Sequence, residues 1–379
     1  MPSVNDIIEI AQELQTKSVL VLGDKCVTVR NRNARCRKCI EACPVKDAIT
    51  IGHNEISIDF DTCLSCGACT AVCPTEALVP LEPMDADLAN HVTLACLKTD
   101  DGQAVIACAR IDAKHEADPR KYTAVPCMCR VEESLLVGLA AHGIHKIVLV
   151  DGDCATCKLR STRATADAVI DSANNLLSVW GSHAQVVRSS TFPAHCALED
   201  ERGLYGQARR SFFGDAGHTA KDALVKTVLK ELNTKQDEPT LRDRLMVGAG
   251  KMPQFNAARR MNVLDALDKM GEPSEENIDT RLWGRVEIDT DVCNGCAMCT
   301  VFCPTGALRK GDEEERKQQG LELIMEFDSS ECVQCHLCAD SCFKECLHVS
   351  SHVSTEELFD FEPRVFEIVA QQGKKKGFF

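Results

Sequence analysis

Residues 63–74 read CLSCGACTAVCP. Cys63, Cys66 and Cys69 are separated by two residues each, Cys73 follows after three more, and Pro74 comes next. The same cadence returns at 293–304, CNGCAMCTVFCP, where Cys293, Cys296, Cys299 and Cys303 precede Pro304. Residues 332–342, CVQCHLCADSC, repeat it through Cys332, Cys335, Cys338 and Cys342 without a following proline. Residues 36–44, CRKCIEACP, carry Cys36, Cys39, Cys43 and Pro44, with Asn33 where a first cysteine is expected. Three thiols spaced two residues apart can converge from one tight loop, and thiolate is a soft ligand suited to metal centres. The fourth cysteine is expected to open a short helix leading away, with proline turning the chain where no N–H is needed.

These runs resemble the bacterial two-cluster ferredoxins, in which the fourth cysteine of each run serves the other cluster. The resemblance implies four [4Fe-4S] clusters in two modules. The first takes Cys36, Cys39 and Cys73, the second Cys63, Cys66, Cys69 and Cys43. The third takes Cys293, Cys296, Cys299 and Cys342, the fourth Cys332, Cys335, Cys338 and Cys303. Asn33 is a poor substitute for a thiolate, so Cys26 is expected to complete the first cluster through a longer loop. The alternatives there are a three-iron cluster or a water-ligated corner. Cys346 competes with Cys342, and His336, inside the last run, either tunes a potential or faces solvent.

The composition agrees. The chain has 379 residues, 24 of them cysteine, with none between 197 and 292. Its 43 basic and 57 acidic side chains give a formal charge of −14, which argues against nucleic acid as a partner because phosphate binding needs a basic surplus. Met1–Lys17 reads as an acidic amphipathic helix rather than a signal peptide. The most apolar run, Leu135–Val150, is broken by His142, His145 and Lys146 and is too short to span a bilayer, so no transmembrane segment is expected. A cytoplasmic setting follows, where cysteines serve metal or redox chemistry rather than disulfides.

The middle segment has another texture. Runs of β-forming residues at Val92–Leu97, Ala104–Cys108, Tyr122–Pro126, Lys146–Asp151 and Gln185–Ser189 alternate with helical patterns at Val131–His142 and Leu159–Trp180. Such alternation predicts a small parallel α/β sheet, whose ligands gather at the carboxyl ends of its strands. Cys96, Cys108, Cys127, Cys129, Cys154 and Cys157 are expected there. The stretch Val125-Pro126-Cys127-Met128-Cys129-Arg130-Val131, followed by a helix and then Lys146–Cys154, resembles the iron–sulfur delta subunit of methyl-viologen-reducing hydrogenase. That resemblance implies a [2Fe-2S] cluster, with Cys96, Cys127, Cys154 and Cys157 matching its ligand segments. This chain departs from it in three ways: Cys96 stands alone, Cys129 occupies a glycine position, and the last pair is closer. A [2Fe-2S] or [4Fe-4S] centre therefore both stay open. Cys154 and Cys157 alone also suit a thioredoxin-like dithiol, Cys108 a small buried hydrophobe, and Cys196, beside His195, lies just beyond the sheet.

No nucleotide-binding fingerprint is present; Gly248-Ala249-Gly250-Lys251 lacks the first glycine of a phosphate loop. The expected class is α+β and α/β multidomain: two bicluster ferredoxin-like modules around a small parallel sheet, with a helical linker. The expected divisions are an N-terminal helix at 1–20, a ferredoxin module at 21–85, the sheet domain at 86–196, the helical linker at 197–284, a second module at 285–350 and a tail at 351–379. The arrangement predicts an electron-transfer subunit. Its partners would be a flavin, molybdenum, tungsten or hydrogenase-type subunit and a second redox enzyme or soluble ferredoxin, in anaerobic metabolism. The alternative is a dithiol, disulfide or sulfur-compound reductase using the middle cysteines.

Overall fold

The computed structural model describes residues 18–52, 54–99, 101–198 and 254–369. The expected N-terminal helix over Met1–Lys17, residues 199–253 of the expected helical linker and with them Gly248–Lys251 lie outside the described residues.

The first module is built of two similar halves. β1 (Val19–Val21), α1 (Lys38–Ala42), β2 (Ile49–Gly52), β3 (Glu55–Ile58), α2 (Ala68–Val72) and β4 (Leu78–Pro80) follow in order. β1 pairs antiparallel with β4, Val19 facing Pro80, and β2 with β3, Ile49 facing Ile58. Val19, Val29, Ile49, Ile56, Ala77 and Leu78 close over Cys26, Cys39 and Cys69. The short helices precede the fourth cysteines instead of starting at them. α1 ends at Cys43 and α2 at Cys73, both in extended backbone, because a residue before proline is excluded from the helical region.

α3 (Asp85–Cys96) leads into the sheet of β5 (Gln103–Cys108), β6 (Thr123–Val125), β7 (Lys146–Val150) and β8 (Gln185–Ser189). The strands are all parallel in the order β6-β5-β7-β8, with Val105 opposite Val148 and Val148 opposite Val187. α4 (Glu133–Ala141) and α5 (Arg163–Val179) make the crossovers. The run Val92–Leu97, expected as a strand, belongs to α3. Its buried positions, Leu88, Val92 and Ala95, fall at helical spacing, and Asp85 and Asp87 sit in the first turn, where acidic groups favour a helix.

α6 (Ala258–Met270) joins the parts. Its first turn has no capping side chain of its own; the Glu76 carboxylate of the first module accepts from the N–H groups of Ala258 (3.1 Å) and Arg259 (3.0 Å). Val263, Leu264 and Leu267 enter the same core as Leu135 and Leu136 of α4. β9 (Asn277–Asp279) ends this stretch.

The second module repeats the first: β10 (Arg285–Ile288), α7 (Met298–Phe302), β11 (Leu308–Lys310), β12 (Leu323–Phe327), α8 (Leu337–Asp340) and β13 (Leu347–Ser350). β10 pairs with β13 and β11 with β12. Residues assigned to a tail also form structure: β14 (His352–Ser354) pairs with β9, and β15 (Arg364–Ile368) adds to β12 with Phe366 opposite Met325. The basic end Lys374–Lys376 lies outside the described residues. Among the described residues no helix is long and apolar enough to cross a membrane.

Candidate metal centres

The cysteine loops owe their curvature to backbone sign. Ser65 and Gly67, Gly295 and Ala297, and Gln334 and His336 all have positive φ. They stand second and fourth after the first cysteine of their runs. Alternation of right- and left-handed residues turns successive N–H groups inward, forming the kind of nest that receives anions and iron–sulfur clusters. The run from Cys36 lacks this device: neither Arg35 nor Arg37 has positive φ. The loop is open on that side, and Cys26 arrives from the turn before the short helix Val27–Arg30.

Each of three small cavities is lined by four cysteines. One holds Cys26, Cys36, Cys39 and Cys73 beneath Ile56 and Leu78. A second holds Cys43, Cys63, Cys66 and Cys69, and a third, in the second module, Cys303, Cys332, Cys335 and Cys338. Backbone donors approach the sulfurs, the Ala77 N–H to Cys73 Sγ at 3.2 Å and the Leu308 N–H to Cys303 Sγ at 3.4 Å. Cys293, Cys296, Cys299 and Cys342 form the remaining group. Cys346, fully buried, has its sulfur 3.5 Å from that of Cys342 and also contacts Cys293.

Burial, reinforced by Cys73, Cys26 and Cys36, pushes the Cys39 thiol up to about 12. Burial with Cys296 and Cys293 does the same to Cys299. Thiolates grouped in low dielectric repel one another, so these pockets suit a cationic iron core that takes the negative charge. Among the described residues no three side chains converge on a single-ion site; the sulfurs instead surround cavities, as the separated corners of a cube require.

In the middle domain one pocket is lined by Cys108, Cys127, Cys154 and Cys157. It opens at the carboxyl ends of β5, β6 and β7. The strand order there reverses direction between β5 and β7, the switch point at which open α/β sheets bind ligands. Arg110 secures the loop, donating to the Asp153 carbonyl at 2.8 Å and to Thr156 Oγ1 at 2.9 Å. Arg188 pairs with Asp151 at 2.6 Å. Thr162 Oγ1 stands 3.4 Å from Cys127 Sγ.

Cys96 is not part of this pocket. As the last residue of α3 it is grouped with Thr99 and Asp101, before β5 begins. Cys108, which ends β5, stands at the site instead. The sequence carried a signal for it: Cys108 closes a strand pattern, as the residues before Cys127 and Cys154 do. Cys129 is fully buried. Hydrogen bonding from Cys129 brings the Cys127 thiol down to about 6 despite its burial, and the Cys129 thiol itself is pushed far up by Cys127 and Cys66. Cys196 lies apart, buried with Tyr122, and His195 pairs with Asp101 at 2.6 Å.

The modules meet closely. Val27 and Ala34 of the first pack on Leu337 of the second, with Cys36, Phe302 and Cys335 against them. The Arg35 N–H donates to Asp340 Oδ2 at 2.8 Å across this seam. The buried Arg30 lies in the same region, donating to the Asp24 carbonyl at 3.2 Å.

Residues 34–77 and 292–346 both match the 4Fe-4S dicluster domain. The chain belongs to the 4Fe-4S dicluster family. Over 58 residues it is 40% identical to a 7Fe ferredoxin of Hydrogenibacillus schlegelii, covering 67% of that protein and 15% of this chain. Ferredoxins of Streptomyces griseus and Mycolicibacterium smegmatis are each 43% identical over 58 residues, again 15% of this chain. Those alignments cover 50% and 49% of the two proteins, so the chain spans about half their length. As a 4Fe-4S dicluster protein it has a general iron–sulfur electron-transfer role, carried by two such domains flanking a parallel sheet.

Proposed function

We propose that the chain is the electron-relay subunit of an oxidoreductase complex, with four [4Fe-4S] clusters in the two modules and a fifth iron–sulfur centre in the middle domain. The observation that carries this reading is the grouping of cysteines at the middle pocket. Cys108, Cys127, Cys154 and Cys157 come from three strand ends and face one opening at the switch point. When bound, iron–sulfur clusters supply one-electron chemistry without proton transfer. The first two sets in the first module would be Cys26, Cys36, Cys39, Cys73 and Cys43, Cys63, Cys66, Cys69. In the second module Cys303, Cys332, Cys335 and Cys338 hold one cluster; Cys293, Cys296 and Cys299 hold the other with Cys342 or Cys346.

In the middle domain, Arg110 fixes the loop that presents Cys154 and Cys157, and Thr162 orients Cys127. The resemblance to the delta subunit of methyl-viologen-reducing hydrogenase supports this role, with Cys108 in place of Cys96. It also suggests partners: a flavin, molybdenum, tungsten or hydrogenase-type subunit, and a second redox enzyme or ferredoxin. We assign the complex to the cytoplasm of an anaerobic metabolism. The half-exposed Cys154 and Cys157 support a second reading, a dithiol reductase.

Iron and acid-labile sulfide per chain, measured on anaerobically purified protein with EPR on stepwise reduction, tests both. Four cubanes contain about 16 irons, and a fifth centre raises this to about 18 or 20. Cys108→Ala is expected to remove the fifth centre and Cys96→Ala to leave it. A parent value near 16, with disulfide turnover by the isolated chain, would establish the reductase instead.

A further inference from the structure

A cavity of about 380 Å³ lies where the first module, the sheet domain and α6 meet. Cys73 and Pro74 border it on one side, so it adjoins the Cys26 set but is a separate cavity. Four basic side chains reach it: Lys38 of α1, Arg259 and Arg260 of α6, and Arg281. Two of them are engaged by acids of the protein. Arg281 holds Glu133 with both prongs, and Arg259 holds Asp85 at 2.8 Å. Glu132, also at the wall, spends its carboxylate on the start of α4. It accepts from the Ser134 and Leu135 N–H groups at 2.8 and 3.0 Å and from the Ser134 hydroxyl at 2.8 Å. Glu41 stands at the exposed rim.

The other two cations have no such partner. Arg260 is only 7% exposed. Its Nε donates to the Leu282 carbonyl at 2.6 Å, while its two Nη groups meet no acceptor among the described residues. The half-buried Lys38 ammonium likewise has none among them. Burying a charge without a counter-charge is costly, and an anion in the cavity removes that cost. The start of α5 lies at the same wall through Ala164 and Thr165. It has neither a capping side chain nor an acidic residue in its first turn, whereas α4 begins on Glu132 and α6 on Glu76. The positive end of a helix dipole adds to the attraction for an anion.

We propose that this cavity binds a small phosphate monoester, with its dianionic head between Arg260, Lys38 and the start of α5. Two unpaired cations call for two negative charges in one compact group, and the guanidinium fork matches two oxygens of a phosphate. The cavity has room for more than a bare phosphate, and Ala42, Val72 and Val263 give the organic remainder an apolar wall. The proposal goes beyond the relay and does not depend on whether the middle pocket holds a centre.

The test uses the full chain, purified anaerobically in phosphate-free buffer, as parent, Arg260→Met and Ala164→Glu. Calorimetric titration is carried out with inorganic phosphate, with glycerol 3-phosphate and with succinate, a dianion whose charges are divided between two groups. The parent is expected to bind one glycerol 3-phosphate per chain, more tightly than inorganic phosphate, and succinate weakest. Arg260→Met is expected to weaken the phosphates at least about tenfold, the loss of one charge-assisted contact. Ala164 is exposed, and glutamate suits a first helical turn, so Ala164→Glu is expected to keep its iron and its denaturation midpoint. Its carboxylate should still weaken both phosphates several-fold by repulsion and by competing for the same cations. Absence of saturable binding in the parent overturns the site, as does affinity unchanged in both variants. Succinate binding as tightly as glycerol 3-phosphate overturns the phosphate assignment. If Arg260→Met loses iron, Ala164→Glu decides alone, and unchanged affinity there overturns the proposal.

Discussion

Cys26 shows how much one side chain depends on the backbone around it. The three regular runs each spend two left-handed residues to curl around their cavity, and four of those six residues are not glycine. Such positions cost about 1–3 kcal/mol apiece in an ordinary loop, so the cluster site has to repay them. The run from Cys36 avoids that strain, stays open and admits Cys26. Cys26→Ser is therefore expected to change only the first module: iron per chain falls by one to four, and the EPR signals of the second module persist. Loss of signals from both modules would contradict the separate ligand sets. The measured count also bears on the 7Fe relative, because a first module with Cys26 as ligand holds about eight irons rather than seven. His336 finds its explanation in the same geometry, as a left-handed backbone position beside Cys335.

The helices are tied to one another by charge. Arg281 makes a two-pronged contact with Glu133 in the first turn of α4 and also donates to the Ala71 carbonyl at 3.1 Å in α2. Glu133 is almost wholly buried. Arg281→Met strands that carboxylate, and breaking a buried pair of this kind costs about 3 kcal/mol. The expected outcome is a lower denaturation midpoint under anaerobic conditions, with Arg281→Lys intermediate because it cannot contact both oxygens. An unchanged midpoint would mean that Glu133 is satisfied without Arg281. The crossover helices α4 and α5 were legible from their apolar spacing. α3 was misread because Val92 and Thr93 are β-branched, while the burial that formed the helix comes from packing on the neighbouring sheet.

The parts of the molecule are tied at Asp85, which accepts from Arg130 of the sheet domain and from Arg259 of α6 at 2.7 and 2.8 Å. Burial opposes its charge, but Arg259 and Arg130 together hold it below the usual carboxylate range. Asp85→Asn leaves the buried Arg130 without its counter-charge. Hydrogen exchange is expected to quicken in Ala258–Met270 and around Met128–Arg130 while β5 and β7 stay protected. Uniform quickening would instead indicate global destabilisation. This joint also keeps Arg130 against Gly67, next to the Cys66 carbonyl that the Cys129 thiol contacts.

The two ferredoxin modules were readable from the chain alone because each cysteine run keeps a short fixed spacing, and the run's last cysteine crosses to the other set of its module in a repeated way. The parallel sheet was readable too, from strands and helices that alternate over short distances. The departure of Cys96 from the middle pocket, the contact of Cys129 with Cys66, and the pairing of β14 and β15 with distant strands were not. Each depends on which surfaces meet after folding, and residues far apart in sequence leave no local periodicity by which to find them.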